Sequence, residues 1–157
     1  TPTQAGLVMS GSVIVQLITA LSAPWLSTRG KDQRLAIVLM MSMTLAGLFG
    51  CLYAPLDGLW GWAIVLGLGQ GGAFSLALTL IVLRSRDAHV AANLSGMAQG
   101  IGYTVASMGP LAVGVVHEMT GGWSAVGWIF GVIGIIAIAA GLGAGRSLYV
   151  NAQSEKI

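Results

Sequence analysis

Polar and apolar positions divide the chain into long uncharged runs separated by short charged segments. Charge occurs only at positions 29, 31, 32, 34, 57, 84, 86, 87, 118, 146, 155 and 156. The stretches 1–28, 35–56, 58–83, 88–117 and 119–145 carry none. Each is longer than the roughly 20 apolar residues that take an α-helix across a bilayer. The pattern predicts five helices at about 5–27, 35–54, 59–83, 92–116 and 123–145. A membrane β-barrel is excluded, because its strands of about 10 residues would alternate in polarity and these runs are continuously apolar. The expected fold class is an all-α membrane protein with five transmembrane helices.

The connections give an orientation. Arg29-Gly-Lys31-Asp32-Gln-Arg34 holds three basic residues, Arg84-Ser-Arg86-Asp-Ala-His89 holds two, and the tail holds Arg146 and Lys156. The two alternate connections, Ala54–Gly58 and His117–Gly122, hold none. Basic loops stay on the cytoplasmic side. The first helix is therefore expected to start outside and the last to end in the cytoplasm. Tyr53, Trp60, Trp62 and Trp123 fall near the outer ends and Trp25 and Tyr149 near the inner ends, where aromatic rings favour the headgroup level.

Composition narrows the classes further. Of 157 residues, 55% are hydrophobic and 8% charged, against about 25% charged in a soluble domain. This excludes a soluble globule and, equally, a polar disordered chain. A net charge of +2 with no basic patch on a folded face argues against a nucleic-acid partner. Cys51 is alone and cannot form an internal disulfide. No metal-ligand cluster or nucleophile–base pair is visible, so neither a cofactor nor a catalytic role is expected. The chain begins at Thr1 rather than Met, which suggests a piece of a longer protein.

Gly67-Leu-Gly69-Gln-Gly-Gly72 fits a G-x-G-x-x-G pattern. The dinucleotide-binding reading needs a preceding strand and an acidic residue about 20 positions on. Here the glycines lie inside an uncharged helical run. Small residues in such a run let helix backbones approach closely. The same reading applies to Gly96-x-x-x-Gly100, Gly127-x-x-x-Gly131 and Gly141/Gly143/Gly145. Pro24 and Pro110 interrupt the first and fourth runs. Proline removes a backbone donor and kinks a helix, and Gly109-Pro110, well inside its run, is the stronger kink candidate.

Polar side chains are unevenly shared. The first, third and fourth helices carry one glutamine each, Gln16, Gln70 and Gln99, and the other two carry none. Ser12, Gln16 and Thr19 share one helical face, and Ser95, Gln99, Tyr103 and Ser107 share another. An unpartnered amide in an apolar medium costs about 2–7 kcal/mol. These stripes are expected to face other helices or a water-filled cavity, with helices one, three and four around a polar centre and two and five against lipid. No Asp, Glu, Lys or Arg lies within a span, so no membrane-centred proton relay of the kind pumps use is present here.

The stretches Gly67-Leu-Gly-Gln-Gly-Gly-Ala-Phe74 and Leu94-Ser-Gly-Met-Ala-Gln-Gly-Ile-Gly-Tyr103 resemble the C-terminal half of major facilitator superfamily transporters. The likeness is strongest to the branch containing the bacterial cyanate and 2-nitroimidazole transporters. Gly109-Pro110 with Gly114 resembles a reduced form of the superfamily's kinked-helix motif. Lys31-Asp32-Gln33-Arg34 occupies the place of its basic inner loop without the intact Gly-x-x-x-Asp-Arg-x-Gly-Arg pattern. The resemblance covers essentially residues 1–157. It implies that the five helices are numbers eight to twelve of a twelve-helix carrier, whose helix seven and N-terminal half would be the partners missing here. It also implies that helices nine and twelve are peripheral, the split already drawn from the glutamines.

The expected function is movement of a small polar solute across the membrane by alternating access, with Gln16, Gln70, Gln99 and Tyr103 as this half's candidate substrate contacts. The rival is a five-helix assembly or permease subunit with no substrate site of its own. Buried polar stripes discriminate, because a scaffold has no need of them.

Overall fold

The computed structural model describes residues 2–27, 29 and 32–149. These form helices α1 (Pro2–Ser27), α2 (Arg34–Tyr53), α3 (Leu59–Leu83), α4 (Ala88–Ser107), α5 (Gly109–Thr120) and α6 (Ser124–Ala144), with a 3-10 turn at Leu56–Gly58. No strand occurs among the described residues. Lys31, Glu155 and Lys156 lie outside them. Four segments are long and apolar enough to cross a bilayer: Thr3–Trp25, Arg34–Tyr53, Leu56–Leu83 and Ser124–Ala144.

The fourth expected span differs. In place of one helix over 92–116, the structure has α4 and α5, together spanning residues 88 to 120 with a break at Met108. Asp87 starts α4 early, because its Oδ1 accepts the Val90 amide at 2.9 Å and caps the first turn. Gly121, at φ 69°, ends α5 in the left-handed region that glycine adopts without strain.

The two prolines behave differently, and the difference follows from their neighbours. Pro24 lies inside an unbroken α1. Its missing N–H would have bonded the Ala20 carbonyl four residues back. The Ser75 hydroxyl of α3 donates to that carbonyl at 2.7 Å. Pro110 would leave the Ala106 carbonyl open in the same way. Among the described residues no side chain from another helix donates to it. The Met108 amide turns back to the Val105 carbonyl at 3.2 Å and also to that of Ala106, and the helix restarts at Gly109 with the proline in its first turn, where no donor is needed.

Helix α3 lies between α1 and α2, α6 packs on α2, and α4 and α5 attach along the edges of α3 and α6. Glycine makes the central position possible. A methyl group at Gly67 or Gly71 would overlap the Ser12 or Gln16 carbonyl of α1. One at Gly69 would overlap the backbone of Met40 and Thr44 on α2, and one at Gly72 the Met40 thioether. Alternate glycines of a single motif thus serve two different neighbours. Gly47 of α2 reciprocates against the Leu66 backbone. On α6, Gly127, Gly131 and Gly134 admit Tyr53, Phe49 and Leu45 of α2. Gly96 and Gly100 correct the sequence reading: a Cβ at either meets nothing within 4 Å, so their spacing marks no contact within the described chain.

Candidate functional site

The four side chains singled out from the sequence occupy different surroundings. On α1, Ser12, Gln16 and Thr19 lie on the face that meets the α3 glycines. Thr19 is buried, with its Oγ1 donating to the Val15 carbonyl at 2.9 Å. Ser12 Oγ donates to the Met9 carbonyl at 2.8 Å. Gln16 sits half-buried between them, its own carbonyl against Gly71. On α3, Gln70 lies between the glycine pairs in sequence and is exposed, as are Phe74 and Ala77 further along.

On α4, Gln99 is half-buried and its Nε2 donates to Ser95 Oγ at 2.6 Å. Tyr103, one turn on, is 59% exposed. This helix contains no buried residue, so its polar stripe is only lightly covered by the described chain. The four candidates therefore do not share one pocket.

The basic segments come together at one end of the bundle. Arg84, closing α3, donates through Nη2 to the Gly145 carbonyl at the end of α6 at 3.0 Å and to Gln33 Oε1 before α2. Gln33 is 3% exposed and its amide also donates to Gly145, at 3.3 Å. A cation on the carbonyls that end α6 opposes the negative end of that helix's dipole. Asp32 Oδ1 accepts the Arg34 amide at 2.9 Å, and Arg34 Nε lies 3.7 Å from Asp32 Oδ2. The Arg29 guanidinium stacks 3.5 Å from the Trp25 ring centroid. At the opposite end the Tyr53 hydroxyl donates to the Ser124 carbonyl at 3.3 Å, and His117 stacks on Trp123 at 4.2 Å.

One further feature was not anticipated. A cavity of about 580 Å³ opens between α2, α3, α4 and α6 near the basic end. Leu76, Leu80, Ile81 and Leu94 line its walls, Ala73, Ala77, Ala98 and Ala137 leave it room, and Arg84, Arg146 and Tyr149 border it. None of Gln16, Gln70, Gln99 or Tyr103 lines it. The alanines were its only trace in the sequence.

The sequence model of the Major Facilitator Superfamily matches residues 1–150. The chain is 41% identical over 153 residues to the uncharacterized transporter YycB of Bacillus subtilis, covering 97% of this chain and 38% of that protein. It is 36% identical over 136 residues to the 2-nitroimidazole transporter of Escherichia coli, covering 85% and 34%. It is 30% identical over 134 residues to the cyanate transport protein CynX of the same organism, again covering 85% and 34%. The chain thus spans 34–38% of the length of these relatives. No solved structure matches it. The chain belongs to the major facilitator superfamily, a family of transporters, and is a multi-pass membrane protein.

Proposed function

We propose that this major facilitator chain supplies helices eight to twelve of a twelve-helix carrier that moves a small, planar, polar solute across a bacterial inner membrane. Its basic end faces the cytoplasm, and its first helix starts in the periplasm. The relatives named for cyanate and 2-nitroimidazole support that substrate class. Transport proceeds by rocking of two halves about a central site, and this chain forms part of one wall.

The observation that carries the reading is the stripe of Ser95, Gln99 and Tyr103 on α4. It lies on a helix with no buried residue, which in the twelve-helix carrier proposed here lies in the membrane, where polar side chains facing lipid are costly. Such groups need a polar partner or a wet pathway, and a substrate site supplies both. Gln70, exposed on α3, adds a second amide. Each amide offers a donor and an acceptor, and the tyrosine a hydroxyl and a ring. Within the four apolar spans the charged residues are Arg34 and Asp57, both at span ends. Recognition from this side therefore rests on hydrogen bonds, and any counter-charge for an ionic solute comes from the other half.

The test is uptake by the full-length carrier in proteoliposomes, with cyanate and 2-nitroimidazole as probes. Gln70→Ala with Gln99→Ala is expected to weaken transport about 5- to 150-fold, the range for losing buried hydrogen bonds worth about 1–3 kcal/mol. Unchanged kinetics would overturn the site assignment.

A further inference from the structure

The cavity at the basic end suits a ligand different from a polar solute. Its walls are apolar side chains of four helices, and the charged groups among its lining residues are Arg84 and Arg146. At about 580 Å³ it lies within the roughly 300–1,000 Å³ of small-molecule sites. A small polar solute there would give up its water for walls with no amide or carboxylate, which is unfavourable. A hydrocarbon chain would match those walls, and an anion would match the arginines.

The structure assigns this cavity to an anionic phospholipid, its acyl chain between α3 and α4 and its phosphate at the Arg84 and Arg146 guanidinium groups. Three observations carry the assignment. The lining residues include two cations and no acid. Arg146 is exposed beyond the end of α6. Arg84 is held by Gly145 and Gln33, yet its Nε is buried without an acceptor among the described residues. The nearby Arg34 is paired with Asp32 at 3.7 Å, and no ion pair is made by Arg84 or Arg146 among the described residues. Basic pockets between membrane helices recognise lipid headgroups in this way. The site is separate from the amides and phenol of the proposed pathway, and the assignment does not depend on that pathway.

The experiment uses the full-length protein in detergent, titrated with phosphatidylglycerol or phosphatidylcholine of the same chains and followed by native mass spectrometry and thermal stability. Phosphatidylglycerol is expected to bind at least fivefold more tightly, with saturable stabilisation. Arg146→Gln should weaken it about fivefold, the effect of one basic residue on an anionic lipid, and leave phosphatidylcholine unchanged. Ala98→Phe, which fills the cavity, should weaken both. Inorganic phosphate should not compete. Equal binding of the two lipids, phosphatidylglycerol binding indifferent to both substitutions, or full competition by inorganic phosphate would each overturn the assignment.

Discussion

The Ser75 hydroxyl donates to the Ala20 carbonyl across the α1–α3 contact at 2.7 Å, and that carbonyl is the one Pro24 leaves without its helical amide. A neighbouring serine thus replaces the bond that proline removes, as membrane helices require of an interior proline. The consequence is a specific energetic coupling. Ser75→Ala is expected to destabilise the protein by about 0.6–2 kcal/mol, the range for interhelical hydrogen bonds in membranes. In a Pro24→Ala background residue 24 regains an amide for Ala20, and the cost of Ser75→Ala should fall towards zero. A double-mutant cycle by chemical unfolding measures this; a coupling of zero would show that the two residues act independently.

Pro110 offers the contrasting case. Pro110→Ala restores a donor for the Ala106 carbonyl and should join α4 to α5 in one helix. Hydrogen exchange at residues 106–112 is expected to slow, and transport turnover to fall as the break at Met108 stiffens. Exchange as fast as in the parent protein would mean that something other than the proline holds the break open.

The α3 glycines should differ sharply from one another. Gly71→Ala drives a methyl group into the Gln16 carbonyl, backbone that cannot step aside, at a cost of about 1–3 kcal/mol for overpacking. Gly61, on the same helix, has nothing within 4 Å of its Cβ position. Gly61→Ala should be neutral or stabilising by up to about 1 kcal/mol, since alanine favours the helix. Thermal unfolding in detergent compares the two, and equal effects would refute the close-packing role of the motif.

Arg84→Ala removes the donor shared by Gly145 and Gln33. A loss of about 1.5–3 kcal/mol is expected, as for hydrogen bonds from charged groups. Residues at the start of α2 and the end of α6 should become more accessible to thiol labelling at introduced cysteines. Unchanged labelling would show that the backbone bond from Gln33 to Gly145 suffices to hold this end together.

The membrane class was legible because a bilayer imposes a local rule: length and hydropathy alone define a span. The grouping of basic segments was legible for the same reason, and Gly145, Gln33 and Arg84 do meet. What periodicity could not supply was the identity of each face's neighbour. Gly67/Gly71 and Gly96/Gly100 have identical spacing, yet one pair fits against α1 and the other against open space. Likewise the Ser12–Gln16–Thr19 stripe announces a distinctive face, but only the fold shows α3 lying against it. The cavity was hidden because a void is made of side-chain volume that is not there. Whether a proline bends or breaks its helix depended on a hydroxyl from elsewhere in the chain, Ser75 for Pro24 and none for Pro110.

Helix α3 carries the keys for two locks at once. Gly67 and Gly71 set its depth relative to α1, while Gly69 and Gly72 set it relative to α2. Sliding α3 to suit one neighbour would drive it into the other, so the three helices are geared to travel as a single plate. The α4–α5 arm, broken at Met108, stands outside that plate and touches it along the edges of α3 and α6.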